Sequence, residues 1–132
     1  MDRLEQIKNI ADQLIGQGNL NIVDSAFSAD YIAHSGEKTN KGHEFIKQFA
    51  KQLRTAIPDI KIVKIEVLSQ TDNLLTWQRT LCGTHKSSLK GIPASNQKVK
   101  WYEIVVSRFD KDKIMEEWVA SDLAFQLMLK LK

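Results

Sequence analysis

Asp122 is the residue whose type and neighbours most favour proton chemistry. It ends the segment 110–122, which opens with a charged turn, continues as a predicted strand and stops where a helix begins. Alternate residues of a strand share a face, so Trp118 and Asp122 point the same way if the strand geometry continues. A carboxyl group beside a tryptophan is desolvated, which raises its pKa toward values suited to proton transfer. The alternative is that Asp122 only caps the predicted helix 123–131, since Asp is a preferred N-cap residue.

Arg79 is a second charged side chain in an apolar pattern. It lies in the predicted strand 74–85, on the bulkier of two faces, which we expect to point toward the helices. A buried arginine needs a partner because an uncompensated buried charge is very costly. The alternative is an arginine that buries only its stem and keeps its head group at the rim. The face that carries Arg79 consists of Leu75, Trp77, Arg79, Leu81, Gly83 and His85. The candidate partners for its charge are Glu103, Glu116 and Asp122.

The predicted strand 97–109 has two faces that both suit burial. Trp101 and Glu103 share one face, whose mixture of bulk and charge suits a polar-lined pocket. Tyr102 and Ile104 lie on the other, which suits packing against helices or against a second subunit. The sequence leaves open which face points inward.

Histidine and cysteine give little support for other chemistry. His34 and His85 each end an extended segment and are candidates for a pocket, whereas His43 is expected at the surface. No metal-ligand spacing is present, so no metal site is predicted. The single cysteine, Cys82, lacks an activating neighbour and is interpreted as packing. No nucleophile elbow or Ser-His-Asp pattern is present.

Composition restricts the class of protein. The 132 residues fit one domain, 1–132, that can bury a core without a disulfide or metal. A net charge of +3 with interspersed acidic residues does not favour nucleic acid. No apolar run reaches membrane-spanning length, and no signal peptide pattern is present, so neither a membrane nor a nucleic acid is an expected partner. The expected location is the cytoplasm.

The order of elements predicts an α+β fold. Three helices, at 2–16, 20–27 and 41–57, come first, with a brief extended piece at 31–34. Strands at 60–70, 74–85, 97–109 and 113–121 follow, joined as an antiparallel meander, and a short helix closes the chain. Twist should curl the sheet around the helices and leave a pocket closed at one end. The side chains expected to pack on the concave face are Leu4, Ile7, Phe45, Phe49 and Leu53.

Four short motifs, in this order and spacing, resemble the SnoaL-like polyketide cyclase or ester cyclase family of the nuclear transport factor 2-like (cystatin-like cone) superfamily. They are Ala56-Ile57-Pro58-Asp59, Gly83-Thr84-His85, Gly91-Ile92-Pro93, and the segment 110–122 with Ile114, Glu116, Trp118 and Asp122. The resemblance covers nearly the whole chain.

The resemblance implies three helices packed on a strongly curved antiparallel sheet, with a ligand pocket inside the cone. It also implies acid/base chemistry on a polyketide ester without a metal or organic cofactor. Asp122 matches the family's acid/base residue, and His85 and His34 match pocket positions. The chain departs from the characterised cyclases on the strand before the acid, where they carry a histidine and this chain has Trp101, Glu103 and Val105.

Two functional hypotheses follow. The first is a cofactor-independent cyclase- or isomerase-type enzyme that acts on an apolar, carbonyl-bearing small molecule, with Asp122 as acid/base and Arg79 and His85 anchoring oxygens. Its apolar walls would be Trp77, Trp101 and Trp118. The second is a non-catalytic small-ligand-binding or dimeric interaction module of the same fold. A deep apolar pocket with Asp122 at its base favours the enzyme, and a polar, water-filled pocket favours the module. In either case we expect a homodimer through the sheet face that does not hold the pocket.

Overall fold

The computed structural model describes residues 2–131, so Met1 and Lys132, the two ends of the predicted domain, lie outside the described residues. Helices and strands alternate only in the first part of the chain. The helices are α1 (Arg3–Ala11), which continues as a π-helical turn (Asp12–Gly16), α2 (Ile22–Ala26), α3 (Gly42–Ala56) and α4 (Leu123–Leu129). The strands are β1 (Phe27–Ser35), β2 (Lys38–Lys41), β3 (Lys61–Gln70), β4 (Leu74–Thr84), β5 (Lys98–Asp110) and β6 (Lys113–Ser121).

The ends of the two longer predicted helices follow from local chemistry. Asp2 caps α1, and its carboxylate accepts the Glu5 backbone N–H at 2.8 Å. Helix α3 ends at Ala56 because Ile57 precedes Pro58, and a residue before proline avoids helical geometry. Each observed helix lies within two residues of its predicted bounds at both ends, apart from the π-helical end of the first.

The six strands form one curved sheet in the order β2-β1-β6-β5-β4-β3. All neighbours are antiparallel except β1 and β6, which run parallel. The α+β prediction is confirmed, and the four-strand meander is correct. The sequence did not predict β2, because Lys-Thr-Asn-Lys shows no apolar alternation, nor the parallel contact that joins β1 to the last strand.

The core lies between the concave sheet face and the helices. Ile7 and Leu53 are buried there as predicted, and Phe45 and Phe49 are partly buried against it. Leu4 is only half-buried.

The inner face of β5 is the one that carries Trp101 and Glu103. Both side chains are buried, whereas Tyr102 and Ile104 on the opposite face are 43% and 42% exposed. The question that the sequence left open about this strand is thereby settled.

A β-bulge in β6 changes which of its residues face inward. Arg108 pairs with Glu116 and Phe109 pairs with Ile114, so Met115 is an extra residue without a partner on β5. An inserted residue reverses the alternation of side chains beyond it. Strict alternation predicts that Ile114, Glu116, Trp118 and Ala120 share one face. The bulge separates Ile114, which faces inward, from the other three, so this prediction is wrong for Ile114. Beyond the bulge, the inner face consists of Glu117, Val119 and Ser121.

No helix within residues 2–131 combines the length and apolar character that crossing a membrane requires.

Candidate functional site

A cavity of about 470 Å³ lies between the concave face of the sheet and the first and third helices. This volume is in the range of small-molecule sites. Its walls are mainly apolar, and the apolar side chains include Ile7, Ile10, Leu14, Phe27, Phe45, Phe49, Trp77, Ile114, Val119 and Leu123.

Three rows of side chains cross the inner face of the sheet, and each row takes one residue from β4, β5 and β6. The strand register places Leu75, Ser107 and Glu117 in the first row, Trp77, Val105 and Val119 in the second, and Arg79, Glu103 and Ser121 in the third. Two rows are thus polar or charged, and an apolar row separates them.

Glu117 is at the centre of a buried hydrogen-bond network. Tyr31 donates its hydroxyl to Oε1 of Glu117 at 2.8 Å, and Ser107 donates its hydroxyl to Oε2 at 2.5 Å. The indole Nε1–H of Trp77 donates to Ser107 Oγ at 3.0 Å. Side chains from β1, β4 and β5 therefore hold the carboxyl group of Glu117 in a fixed position at the cavity surface, two by direct hydrogen bonds and Trp77 through Ser107.

Burial raises the pKa of Glu117 above the ordinary glutamate value, because the charged form is deprived of water. The hydrogen bonds from Ser107 and Tyr31 and the positive charge of Arg79 oppose this rise without cancelling it. Burial and the neighbouring Glu117 also raise the pKa of the Tyr31 hydroxyl, which therefore stays protonated as a donor. A carboxyl group with a raised pKa beside an apolar cavity is suited to giving and taking protons.

Arg79 and Glu103 form the charged pair of the third row. The guanidinium Nη2 and Nε lie 2.6 and 2.7 Å from Glu103 Oε1, and both side chains are buried. Ser121 donates its hydroxyl to Glu103 Oε2 at 2.7 Å. The predicted alternative of a buried, paired Arg79 is confirmed, with Glu103 as the partner, and the alternative of a head group at the rim is wrong.

The guanidinium of Arg79 leans over the indole of Trp77, with Cζ 5.3 Å from the ring centroid. Arginine has five N–H donors. Within residues 2–131, the Nη1 group of Arg79 has no hydrogen-bond partner, so it can donate to an oxygen of a bound molecule.

The rim of the cavity is polar. Exposed or half-buried side chains from the β1–β2 hairpin, from α3 and from the loop between β4 and β5 form it. They are Ser35, Lys38, Asn40, Gln48, Gln52 and Lys90, whereas the ring of the neighbouring lining residue His34 lies on the outer face of the sheet.

Of the predicted pocket residues, His34, Trp77, Arg79 and Glu103 line the cavity, and Trp118 does not. Trp118 lies on the outer face of the sheet, 39% exposed, because of the bulge in β6. There it stacks on the ring of His34 with 5.2 Å between centroids. His34 also contacts Glu116, with 2.6 Å between Nε2 and Oε2.

Asp122 is outside the cavity lining. Its Oδ1 accepts the backbone N–H of Tyr102 at 2.8 Å, and its Oδ2 accepts the side-chain amide of Gln126 at 3.2 Å. It occupies the N-cap position directly before α4 but makes no side-chain hydrogen bond to the backbone of that helix. The observation that would have favoured the enzyme, Asp122 at the base of the pocket, is not found, since Asp122 connects the end of β6 to Tyr102, an outer-face residue of β5. Its catalytic role stays a prediction.

His85 and Trp101 are fully buried and also outside the lining, so their predicted pocket positions are wrong. His85 belongs to a junction between β4 and the end of α3. Thr84 donates its backbone N–H to Asp59 Oδ1 at 2.6 Å and its hydroxyl to Oδ2 at 2.7 Å, and both bonds lower the pKa of Asp59. Two of the sequence motifs, residues 56–59 and 83–85, thus contact each other as a structural unit.

Sequence reasoning missed Glu117, Ser107 and Tyr31. These residues could have been noticed as polar side chains within otherwise apolar strands. Because Glu116 and Glu117 are adjacent, however, the sequence does not show which of the two glutamates faces inward. No group of three His, Cys, Asp or Glu side chains in residues 2–131 is arranged to hold a metal ion.

Comparison with known proteins gives a family and a fold. A family model described as SnoaL-like polyketide cyclase matches residues 5–128. No curated protein matches the chain.

Several solved structures are similar. A predicted SnoaL-like polyketide cyclase from Jannaschia sp. CCS1 is 18% identical with a TM-score of 0.81, covering 95% of this chain and 93% of that one. A predicted polyketide cyclase from Acidithiobacillus ferrooxidans is 20% identical with a TM-score of 0.79, covering 96% and 94%. IdmH, a predicted polyketide cyclase from Streptomyces antibioticus, is 18% identical with a TM-score of 0.77, covering 98% of each chain. At these identities the structural similarity establishes the fold.

Proposed function

Because the chain belongs to the SnoaL-like polyketide cyclase family, we propose that it is a cofactor-independent enzyme that moves a proton next to a carbonyl group of an apolar small molecule. The observation that carries the proposal is the buried Glu117 carboxyl group, which lines an apolar cavity and has a raised pKa. The proposal moves the acid/base role from Asp122, the residue expected from the sequence, to Glu117.

The chemistry divides between two parts of the cavity. Glu117 removes a proton from the carbon beside the carbonyl, and the hydrogen bonds from Tyr31 and Ser107 hold its carboxylate in place during the transfer. The carbonyl oxygen gains negative charge as the enolate forms. The Nη1 group of Arg79, whose guanidinium lies over the Trp77 ring and whose charge acts on Glu117, donates to that oxygen and stabilises its charge. Returning the proton to another carbon gives isomerisation, and attack of the enolate on a second carbonyl gives cyclisation.

Proton abstraction can be tested before the natural substrate is known. The probe is 2-tetralone, an apolar bicyclic ketone, incubated with the protein in D₂O while NMR follows loss of the protons beside its carbonyl. We expect the wild-type protein to accelerate exchange, and Glu117→Gln to lower the rate by about 10²-fold or more, because an amide cannot act as base.

Asp122→Asn is the matched control, since it makes the same carboxyl-to-amide change outside the cavity. Its exchange rate should equal that of the wild type. Loss of exchange in Asp122→Asn with retention in Glu117→Gln would return the base to the position expected from the sequence and contradict the proposal. Circular dichroism and thermal unfolding of both variants show whether the fold is intact.

A non-catalytic ligand-binding module is the second candidate. It is favoured by the fact that both carboxylate oxygens of Glu117 are already hydrogen-bonded within the protein, as are both oxygens of Glu103. A network of this kind can shape and rigidify a binding cavity without taking part in a reaction. Saturable binding of 2-tetralone without accelerated exchange would favour this candidate over the enzyme.

We also propose a homodimer formed through the outer face of the sheet, because Tyr102, Ile104 and Trp118 are exposed there. The cytoplasm remains the location expected from the sequence.

A further inference from the structure

We infer that the ligand of the cavity is an apolar molecule with an anionic group at one end, and that this group stays at the rim while the apolar body lies inside. The inference rests on the proposed function of the cavity as a small-molecule site and adds the class and the orientation of the molecule.

The position of the rim follows from the direction of the strands. Strands β1, β4 and β6 run parallel to one another, since β5 is antiparallel to both of its neighbours and β1 is parallel to β6. The hairpin after β1 and the loop after β4 therefore lie at the same end of the sheet. These two segments supply Lys38 and Lys90 to the rim.

The rim carries positive charge and hydrogen-bond donors but no carboxylate. Lys38 and Lys90 are exposed, and neither forms a salt bridge within residues 2–131. Asn40 and Gln52 add amide groups that can donate to the same anion, and the Gln48 amide donates to Glu44, an exposed residue of α3 outside the cavity lining, at 3.1 Å. Glu37, an exposed residue of the hairpin, is next to Lys38 in the chain but is not part of the cavity lining.

Among the described residues that line the interior, no cationic side chain lacks a carboxylate partner. The charge of Arg79 is matched by Glu103 at 2.6 Å, so the third row is neutral as a pair. Glu117 lies deeper and repels an anion whenever it is ionised. An anionic end is therefore favoured at the rim, and an apolar, carbonyl-bearing end is favoured beside Glu117.

The strand register sets the length of the molecule. Glu117 precedes Ser121 by four residues on β6, and Ser121 lies at the rim end of that strand. Four residues of strand span about 13 Å. The reacting carbon and the anionic group should therefore be separated by about this distance or more.

Two fluorescent probes test the inference because they share one apolar ring system. 8-Anilinonaphthalene-1-sulfonate carries a sulfonate, and N-phenyl-1-naphthylamine lacks it. We expect the anionic probe to bind wild-type protein about three- to tenfold more tightly than the neutral probe, the range for one or two solvent-exposed ionic contacts. The double variant Lys38→Gln/Lys90→Gln should remove most of this ratio and leave the affinity of the neutral probe unchanged. Added salt should also reduce the ratio.

The matched control is Lys111→Gln/Lys113→Gln, which removes two lysines at the other end of β6. It should keep the wild-type ratio. Phe125→Ser removes an exposed apolar side chain of α4 and should not change the affinity of either probe, which excludes binding at that surface of α4.

The outcomes separate the two proposals. Equal affinities of the two probes for the wild type, or equal effects of the two lysine pairs, overturn the anionic-ligand inference while leaving the cavity as an apolar site. Failure of both probes to bind, or loss of both on Phe125→Ser, overturns the inference together with the small-molecule cavity on which it rests.

Discussion

Glu116 and Glu117 are adjacent in the chain, lie on opposite faces of the sheet and have pKa values shifted in opposite directions. Hydrogen bonds from Arg108 and His34 on the outer face lower the pKa of Glu116. Burial on the inner face raises that of Glu117. The face of the sheet on which each glutamate lies thus determines the direction of its pKa shift. The bulge at Met115 determines that Glu117, and not Glu116, faces inward.

This difference predicts opposite effects on the pH dependence of stability. The raised pKa of Glu117 means that the folded protein holds a proton that the unfolded chain has released. Its contribution to the free energy of unfolding is complete below the unfolded pKa of about 4.3 and declines as pH rises toward the folded pKa. One proton of difference corresponds to a slope of about 1.4 kcal/mol per pH unit. Relative to wild type, Glu117→Gln should therefore become more stable as pH rises through this window, as measured by urea unfolding at a series of pH values.

Glu116→Gln is the matched comparison. The contribution of Glu116 is present above the unfolded pKa and is lost as pH falls through the lowered folded pKa. Its variant should therefore lose stability relative to wild type as pH rises. Two difference curves with the same sign of slope would contradict the assignment of the two carboxylates to different environments.

The sequence predicts the fold well because the apolar stripes of the helices and the alternation of the strands indicate which segments form each element and which faces are buried. It does not predict the inward face of β6, since the bulge depends on how the strand closes against β1 and β5. Because Glu116 and Glu117 are adjacent, the alternation of residues 114–121 is compatible with either glutamate facing inward. One inserted residue moves Trp118 outward and brings Glu117 into the cavity.

The motif at residues 83–85 shows a different limit. The family resemblance implied a pocket position for its histidine, yet Thr84 of this motif hydrogen-bonds to Asp59, which lies 25 positions earlier and just after α3. Contacts at that separation are not readable from strand parity. Arg79 is the opposite case, because the cost of an unpaired buried charge allowed a paired side chain and its candidate partners to be named from the sequence.

Gly83 should not tolerate a side chain. A Cβ atom at this position would lie 2.2 Å from Cγ2 of Ile57, which is fully buried and cannot move aside. We expect Gly83→Ala to lower the free energy of unfolding by about 1–3 kcal/mol, the cost of overpacking a core. In an Ile57→Ala background, the same change should cost much less. An equal cost in both backgrounds, measured by urea unfolding, would show that the close contact is not the cause.

The outer face of the sheet should carry the dimer contact. Ile104 is 42% exposed at its centre, and a lysine there would place a charge in an apolar interface. Light scattering at high micromolar concentration should give a dimer mass for wild type and a monomer mass for Ile104→Lys. Leu129→Ser, which changes an exposed residue of α4 instead, should stay dimeric. A monomeric wild type at that concentration would contradict the dimer.

Arg79 and Glu103 should depend on each other for stability. Arg79→Leu leaves the Glu103 carboxylate buried beside only the hydroxyl of Ser121, and we expect the free energy of unfolding to fall by about 3–5 kcal/mol. Arg79→Leu/Glu103→Leu removes both charges and should recover much of this loss, because well-packed apolar residues can replace a buried ion pair. Urea unfolding of the wild type, the two single variants and the double variant gives the coupling energy directly. If the losses of the single variants simply add in the double variant, the two side chains do not act as a pair.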